Sequence, residues 1–459
     1  MLPFLAQRAA LGEALLNLLL YLSIFIPFLA LAWTLYYHVT RTHIPPGISQ
    51  GAKLHVMTLF GNLMFGLDLD SNVTAVESYE VSRTQPCPDF LDEFQLVQLE
   101  DVDKVLGQAL FLEKVGICHK YVIWRLVMNG ILPREDSKLI IKDLLFDGIP
   151  VRIYWPKASP ARNGRGMLYL HGGAGLFGSI RAYERVCRYI ARESDTVVVS
   201  VEFRLAPEHR HPVPLLDCCT AAIHFLKNAK EYGVDPNRIA IGGDSSGGTF
   251  AAVVCQELVT RVDLPRMRAQ IMVYPFLQAV DFNLPSHQQN RSVPMLFRKR
   301  AIQFGFAYLT GKTINVEGIL ENAHVPRDMW VKYRKWISAD NLPEEFKARG
   351  YVSKVPVSFS QKLYELVKPA FDPRFSPLLA EDAIICQLPE TFILTCEHDV
   401  LRDDGLLYKK RLEDNGVPVT WHHVQDGFHG VAIFIDYVLL EFPGTRDCME
   451  HVAQFLKGL

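Results

Sequence analysis

The sequence has no C-x-x-C pair, no cysteine–histidine spacing typical of a zinc site, no internal repeat and no low-complexity tract. Its nine cysteines are odd in number and scattered, so they do not indicate a disulfide framework, and we expect most to be free. Basic residues show no excess, since 48 lysines and arginines accompany 50 acidic residues for a formal net charge of -2. This balance argues against a nucleic-acid partner.

Short apolar runs alternate with helix-length segments from Lys138 to the end of the chain. The predicted strands are LIIKDLLF, VRIYW, MLYL, TVVVSVEF, RIAIGG, AQIMVYP, ETFILTC and VTWHHV. This alternation predicts an α/β fold with a mainly parallel central sheet and helices on both faces. An aromatic and basic segment at about 280–375 interrupts the pattern, and we expect it to form a cap over the carboxyl ends of the strands. We therefore expect one α/β domain over residues 136–459.

Residues 14–37 form an apolar run without a charged side chain. As a helix, these 24 residues would rise roughly 36 Å, enough to cross a hydrocarbon core of about 30 Å. Trp33, Tyr36 and Tyr37 lie at one end, where aromatic rings favour a membrane interface. We expect a single-pass transmembrane signal anchor in the lipid bilayer, preceded by a short tail at 1–13. A cleaved signal peptide and a buried core helix are the alternatives.

Residues 38–135 separate the apolar run from the α/β domain. We expect a linker followed by a mostly helical region of the cap, with an atypical acidic insertion at 66–104. Positive charges on the two sides of the apolar run do not settle its orientation. The sequons at Asn72 and Asn290 predict N-glycosylation, which requires that the body of the protein be lumenal.

The strongest chemical motif lies between the predicted strand RIAIGG and a predicted helix. It reads Gly243-Asp244-Ser245-Ser246-Gly247-Gly248. A G-x-S-x-G motif between a strand and a helix is typical of a nucleophile elbow, in which a strained turn exposes the serine hydroxyl. The helix that follows directs its amino-terminal N–H groups towards a developing oxyanion. We therefore expect Ser245 to be a nucleophile, with an ordinary Gly/Ser turn as the alternative.

A glycine-rich turn directly follows the predicted strand MLYL. It reads His171-Gly172-Gly173-Ala174-Gly175. We expect the N–H groups of Gly173 and Ala174 to form an oxyanion hole together with the N–H of Ser246. His171 is expected to shape the turn through hydrogen bonds rather than to act as an acid or base.

A serine nucleophile needs a base, and the base needs an acid that orients it. Asp399 follows the strand ETFILTC, as the sheet geometry requires of the acid. Glu397 is the main alternative for the acid. Asp403 and Asp404 are expected in the first turn of the next helix, where carboxylates are stabilised by the helix dipole.

His429 lies on a glycine-flanked segment beyond the strand VTWHHV and is the expected base. His422 and His423 lie within that strand, so alternation should bury one side chain and expose the other. The chain order serine, acid, histidine is the order of the α/β-hydrolase fold.

The ordered motifs HGGAG (171–175), FRLAPEH (203–209), GDSSGG (243–248), DVLRDDG (399–405) and DGFHG (426–430) resemble those of the arylacetamide deacetylases, in the hormone-sensitive-lipase-like branch of the α/β-hydrolases. The resemblance implies an α/β-hydrolase catalytic domain, a Ser245–Asp399–His429 triad, and His171, Gly172 and Gly173 as the oxyanion-hole motif. It also implies a type II membrane protein of the endoplasmic reticulum with a lumenal catalytic body.

Three departures from the family pattern stand out. Ala174 replaces a frequent third glycine, Phe203 replaces the usual tyrosine before RLAPEH, and segment 66–104 has no counterpart. None of them removes a triad residue.

The residues predict acyl transfer to serine, with no metal or organic cofactor required. By analogy with the family, the anchor and the apolar cap suggest lipophilic esters or acetylated amides as substrates. One alternative is a lipase acting on long-chain acyl esters. The other is a catalytically silent α/β-hydrolase that serves as a receptor or adhesion module.

Overall fold

The computed structural model describes residues 136–157, 164–354, 358–437 and 440–459, together with a few earlier positions, namely 47, 48, 50, 51, 53, 54, 121, 125 and 129. The predicted segments 1–13, 14–37 and 66–104 lie outside the described residues, as does almost all of 38–135. No helix among the described residues is long and apolar enough to cross a bilayer.

An eight-stranded sheet forms the centre of the described domain. Its strands are β1 (Leu139–Phe146), β2 (Ile149–Pro156), β3 (Gly164–Leu170), β4 (Thr196–Val201), β5 (Val234–Asp244), β6 (Ala269–Val273), β7 (Glu390–His398) and β8 (Val419–Phe428). The spatial order is β1-β2-β4-β3-β5-β6-β7-β8. β2 pairs antiparallel with β1 and β4, and all other pairs are parallel. The predicted strands and the mainly parallel sheet are thereby confirmed.

Helices connect the strands and form the segment between β6 and β7. The α-helices are α1 (Glu184–Ser194), α2 (Val213–Asn228), α3 (Ser246–Leu258), α4 (Pro285–Gln289), α5 (Arg298–Thr310), α6 (Glu317–Leu320), α7 (Arg327–Ile337), α8 (Gln361–Val367), α9 (Asp382–Ile385), α10 (Arg402–Asp414) and α11 (Pro443–Gly458). Short 3-10 helices occur at Ala229–Tyr232, Ala339–Asn341, Glu344–Phe346, Lys368–Phe371, Pro377–Leu379 and Val431–Phe434.

The two faces of the sheet bury separate apolar cores. Side chains of a strand alternate between its faces, so Leu168 and Leu170 of β3 join one core while Met167 and Tyr169 join the other. Helices α2, α3 and α10 cover the first core, and α1 and α11 cover the second. The expectation of helices on both faces is confirmed.

Cysteine side chains serve as packing groups in this fold. Seven of them lie in the described residues and all are free thiols. Cys187, Cys255 and Cys448 are buried in the apolar cores, where a thiol behaves as a small hydrophobe. Burial also raises their thiol pKa values well above the usual range, so these groups stay protonated.

Strand β8 is longer than the sequence predicted. It continues past Val424 to Phe428, because a register shift in its pairing with β7 lets Phe428 pair with His398. His429 therefore follows the strand directly instead of lying on a separate loop.

Candidate active site

Ser245 occupies the turn between β5 and α3. Its backbone has φ 53° and ψ -124°, a left-handed conformation that a non-glycine residue adopts only at a cost in free energy. The N–H of Ser245 donates to the carbonyl oxygen of Val273 at 2.9 Å, which ties the turn to the end of β6. The strained turn is thus held by the neighbouring strand.

Glycines let β3 pass directly against this turn. A Cβ atom at Gly243 or at Gly247 would fall well inside van der Waals distance of the carbonyl oxygen of Leu170. Gly248 packs less tightly, with its Cβ position 3.1 Å from the Pro275 side chain. Glycine is therefore a steric requirement of the fold at positions 243 and 247.

Ser245, His429 and Asp399 meet at the carboxyl ends of three strands. Nε2 of His429 lies 2.9 Å from Oγ of Ser245, and Nδ1 of His429 lies 2.8 Å from Oδ2 of Asp399. The other carboxylate oxygen of Asp399 accepts the N–H of Leu401 at 2.8 Å. The Asp399 side chain is fully buried and the His429 side chain is 11% exposed. Both histidine nitrogens therefore have the partners that a base and its orienting acid require.

Glu397, the rival acid, points into a different network. Its carboxylate lies 2.6 Å from Arg349 and 3.1 Å from Arg402. Burial raises the pKa of Glu397, but the hydrogen bond from His423 and the two guanidinium charges outweigh it and lower the pKa to about 2. Glu397 is thus a stable anion in an ion-pair network and does not contact His429.

The two strand histidines also have partners elsewhere. His423 is bound between Glu397 and the hydroxyl of Thr395, whereas His422 lies on the other side and contacts Asp447. The His423 side chain is 7% exposed and the His422 side chain is 23% exposed, so the predicted difference in burial is present but small.

The turn after β3 presents N–H groups beside the serine. Gly173 and Ala174 have positive φ values of 108° and 56°. Within the described part of the chain, their N–H groups and that of Ser246 have no hydrogen-bond acceptor. The N–H of Gly172 is different, since it donates to Oδ1 of Asp244 at 2.9 Å. Gly172 therefore shapes the turn and is not available to an oxyanion.

Asp244 links the serine turn to the glycine-rich turn. Besides the N–H of Gly172, its carboxylate accepts the hydroxyls of Tyr169 and Tyr183 at 2.9 and 3.0 Å. Burial raises the pKa of Asp244, although these donors oppose the rise. No sequence pattern identified this positioning role, because the donors lie on three separate segments.

His171 is buried and acts as a structural residue. Its Nδ1 lies 2.8 Å from the carbonyl oxygen of Gly172, and its ring stacks on Phe203 with 4.1 Å between ring centroids. Burial lowers the pKa of His171 to about 4, so the ring is neutral. The aromatic ring of Phe203 supplies the stacking partner without the hydroxyl of the usual tyrosine.

Several known proteins are similar to this chain in sequence and in fold. A family model described as an alpha/beta hydrolase fold matches residues 167–320 and 332–433. The chain is 46% identical to human (Homo sapiens) arylacetamide deacetylase-like 3 over 77% of its length and 87% of that protein. It belongs to the arylacetamide deacetylase family. The chain is therefore a hydrolase of the α/β-hydrolase fold, and the resemblance seen in its motifs is confirmed.

Other members of the family and a solved structure show the same relationship. Human arylacetamide deacetylase-like 4 is 45% identical over 76% of this chain and 85% of its own length. Arylacetamide deacetylase of Bos taurus is 38% identical over 76% of this chain and 90% of its own length. A thermostable carboxylesterase cloned from a metagenomic library superposes with a TM-score of 0.53 at 25% identity, covering 77% of this chain and 95% of its own.

A small cavity opens beside Ser245 in this family member. It encloses about 60 Å³, room for a few water molecules. The walls are mostly apolar and aromatic, formed by Ala174, Ser245, Ser246, Thr249, Phe250, Phe276, Leu296, Ala301, Phe304, Gly305, Tyr308, Arg374, Phe375 and Leu401. Several wall residues come from α5 and from the end of the segment between β6 and β7, where the cap was expected.

The side chain of Asn290 bonds the cap to the main chain at the triad acid. The prediction that Asn290 is glycosylated is therefore wrong. Its side chain is fully buried, and Nδ2 donates to the carbonyl oxygens of Glu397 and Asp399 at 3.0 and 2.9 Å. An amide in this position cannot carry a glycan in the folded domain. The sequon is a local pattern and contains no information on tertiary burial. Asn72, the other sequon, lies outside the described residues.

Asp403 and Asp404 lie in the first turn of α10, as predicted, but they face inwards. Asp403 accepts the N–H of Ser286 at 2.6 Å. Asp404 accepts the N–H groups of Leu277 and Gln278 at 2.8 and 3.3 Å. The two carboxylates thereby hold the chain that leads from β6 into the cap.

Proposed function

We propose that this protein is a membrane-anchored serine carboxylesterase or deacetylase that hydrolyses lipophilic esters or acetylated amides through an acyl-enzyme. The observation that supports it is the Ser245–His429–Asp399 relay, with contacts of 2.9 and 2.8 Å. The names of its relatives, which include deacetylases and a carboxylesterase, agree with this chemistry. A catalytically silent receptor would not need three such residues in contact.

The first half of the reaction transfers the acyl group to the enzyme. Nε2 of His429 takes the proton of the Ser245 hydroxyl as the oxygen attacks the substrate carbonyl carbon. The N–H groups of Gly173, Ala174 and Ser246 hold the negative charge on the carbonyl oxygen. Each such donor typically contributes about 2.7–4 kcal/mol to transition-state stabilisation. The imidazolium then gives its proton to the leaving alcohol or amine.

The second half releases the acyl group. His429 removes a proton from water, which attacks the acyl-enzyme carbonyl, and the proton returns to Oγ of Ser245 as the acid leaves. Asp399 holds Nδ1 of His429 protonated throughout and stabilises the imidazolium. These steps use only residues of the chain.

The size of the cavity favours short acyl groups over long ones. A volume of about 60 Å³ suits an acetyl group or one slightly longer, and the mostly apolar wall provides an apolar surface for that group. A lipase specific for long chains would need a longer channel beside the serine.

A panel of p-nitrophenyl esters of graded acyl length tests this proposal. We expect acetate and butyrate to be hydrolysed with the highest kcat/KM, and rates to fall steeply for longer chains because the cavity cannot hold them. Initial rates of the full-length protein give the profile directly. A maximum at long chains would establish the lipase alternative, and no turnover of any ester would refute the esterase.

Ala174→Gly provides the matched variant for the same panel. Ala174 lines the cavity in a left-handed conformation, which costs alanine about 1–2 kcal/mol. Glycine removes both the methyl and this cost, so the folded protein should be no less stable. We expect the preference for acetate over the next longer chain to fall by about tenfold. Ala182→Gly, which removes a methyl outside the cavity, should leave the profile unchanged.

The membrane anchor is part of the proposal, supported by the uncharged run at 14–37. By the family resemblance, we propose that the anchor lies in the membrane of the endoplasmic reticulum and that the catalytic domain lies in its lumen. After carbonate extraction of microsomes, we expect the full-length protein in the membrane pellet and a variant lacking 14–37 in the supernatant. Release of the full-length protein into the supernatant would show that the run does not span a bilayer.

A further inference from the structure

His422, Asp447 and His451 form a cluster of three metal-ligand side chains that the proposed hydrolysis does not use. His422 lies on β8, while Asp447 and His451 lie one turn apart on α11. One nitrogen or oxygen donor from each side chain can be chosen such that all three lie within 4.8 Å of one another. The cluster is on the surface, with side-chain exposures of 23%, 41% and 41%.

The carboxylate of Asp447 contacts one nitrogen of each imidazole. Its Oδ2 lies 2.9 Å from Nε2 of His422, and its Oδ1 lies 3.2 Å from Nδ1 of His451. The two rings stack with 3.5 Å between centroids and 15° between planes. The donors thus converge from a strand and a helix that both belong to the packed core of the domain.

These separations are close to those of ligands that share one metal ion. Two donors about 2.1 Å from a tetrahedral zinc ion lie about 3.4 Å apart. The contact of His422 with Asp447 requires one proton between the two atoms, whereas Nδ1 of His451 lies closer to the main-chain carbonyl oxygen of Asp447, at 2.8 Å, than to its carboxylate. A divalent cation would replace the proton between His422 and Asp447, and the stacked His451 ring would rotate to turn a nitrogen towards the ion.

We propose that His422, Asp447 and His451 bind a divalent transition-metal ion of the zinc type. Two imidazoles and one carboxylate favour zinc, copper or nickel over calcium and magnesium, which prefer oxygen ligands. Three protein ligands leave a fourth position for water. The absence of a cysteine–histidine motif does not conflict with this site, because its ligands are 25 and four residues apart along the chain.

A metal at this position would connect α11 to β8. Helix α11 covers one face of the sheet, and β8 ends at Phe428, directly before His429. Since an ion that binds only the folded state stabilises it by mass action, binding should raise the melting temperature. The site therefore has a structural or regulatory role, separate from the chemistry at Ser245.

Isothermal titration of the full-length protein with ZnCl2 tests the proposal. We expect one Zn²⁺ to bind the wild type at this site, and His451→Ala and Asp447→Asn to weaken that binding by about tenfold or more. Asp447→Asn is informative because it keeps the size of the side chain and one hydrogen-bonding oxygen but loses the anionic ligand. His209→Ala, which removes an exposed histidine outside the cluster, is the matched control and should bind as the wild type does.

Thermal unfolding provides the second measurement. Zn²⁺ should raise the Tm of the wild type and of His209→Ala by the same few degrees, and should leave the Tm of the two cluster variants unchanged. Without metal, all four proteins should unfold within a narrow range, which excludes a general folding defect. Zn²⁺ binding of equal strength and stoichiometry in the wild type and both cluster variants, or no binding at all, would overturn the proposal.

Discussion

Ser245→Ala is expected to reduce kcat by about 10⁶. The hydroxyl that His429 activates is removed, whereas the N–H groups of Gly173, Ala174 and Ser246 remain and preserve a residual rate of about 10³–10⁴ over water. The free energy of unfolding should change little, because alanine carries the same backbone cost in this turn as serine does and no packed group is lost. Steady-state kinetics with a short-chain p-nitrophenyl ester measures the loss.

A fluorophosphonate probe identifies the reacting serine. We expect the wild type to be labelled at Ser245 and Ser245→Ala not to be labelled. Ser246→Ala is the variant that separates the two adjacent serines, because the buried Ser246 hydroxyl has no hydrogen-bond partner among the described residues and the N–H of residue 246 survives the substitution. Labelling should persist in Ser246→Ala. Undiminished labelling of Ser245→Ala would remove the assignment of the nucleophile.

Asp399→Asn is expected to lower kcat by about 10⁴. An asparagine amide facing Nδ1 of His429 favours the wrong tautomer, with the proton on Nε2, so the imidazole can no longer accept the proton of Ser245. The variant should fold, since the Asn290 amide bonds to the main-chain oxygen of residue 399 and not to its side chain. KM should change much less than kcat.

Glu397→Gln is the matched control for the acid. Glu397 lies two residues before Asp399, but its carboxylate contacts Arg402, Arg349 and His423. We expect this variant to keep kcat within about tenfold and to lose thermal stability, because Arg402 is completely buried and loses part of its charge compensation. If the losses in kcat were reversed between Asp399→Asn and Glu397→Gln, Glu397 would be the acid.

The strands and the position of the nucleophile could be predicted from sequence because both depend on short-range patterns. The glycines at 243 and 247 are required by a neighbouring carbonyl, and the same close approach produces the G-x-S-x-G motif. The order of serine, acid and histidine follows from strand connectivity, so the sequence alone is enough to predict Asp399 and His429.

Properties that depend on segments far apart in the chain could not be predicted in the same way. Asn290 fits a sequon, but its burial results from packing against a loop 109 residues later. The role of Asp244 depends on one tyrosine from β3 and another directly before α1, and the cavity volume depends on side chains from several elements. The His422–Asp447–His451 cluster likewise exists only after α11 packs on β8.

The bonds of Asn290, Asp403 and Asp404 determine where the substrate can approach. They fix the first part of the segment between β6 and β7 to Asp399 and to the first turn of α10, so a displacement there would also disturb the acid. Helix α5 supplies a cavity wall further along and is not held by these three side chains. Among the described walls of the cavity, we therefore expect the α5 side, with Phe304 and Tyr308, to be the one that can open for a bulky leaving group without distorting the relay.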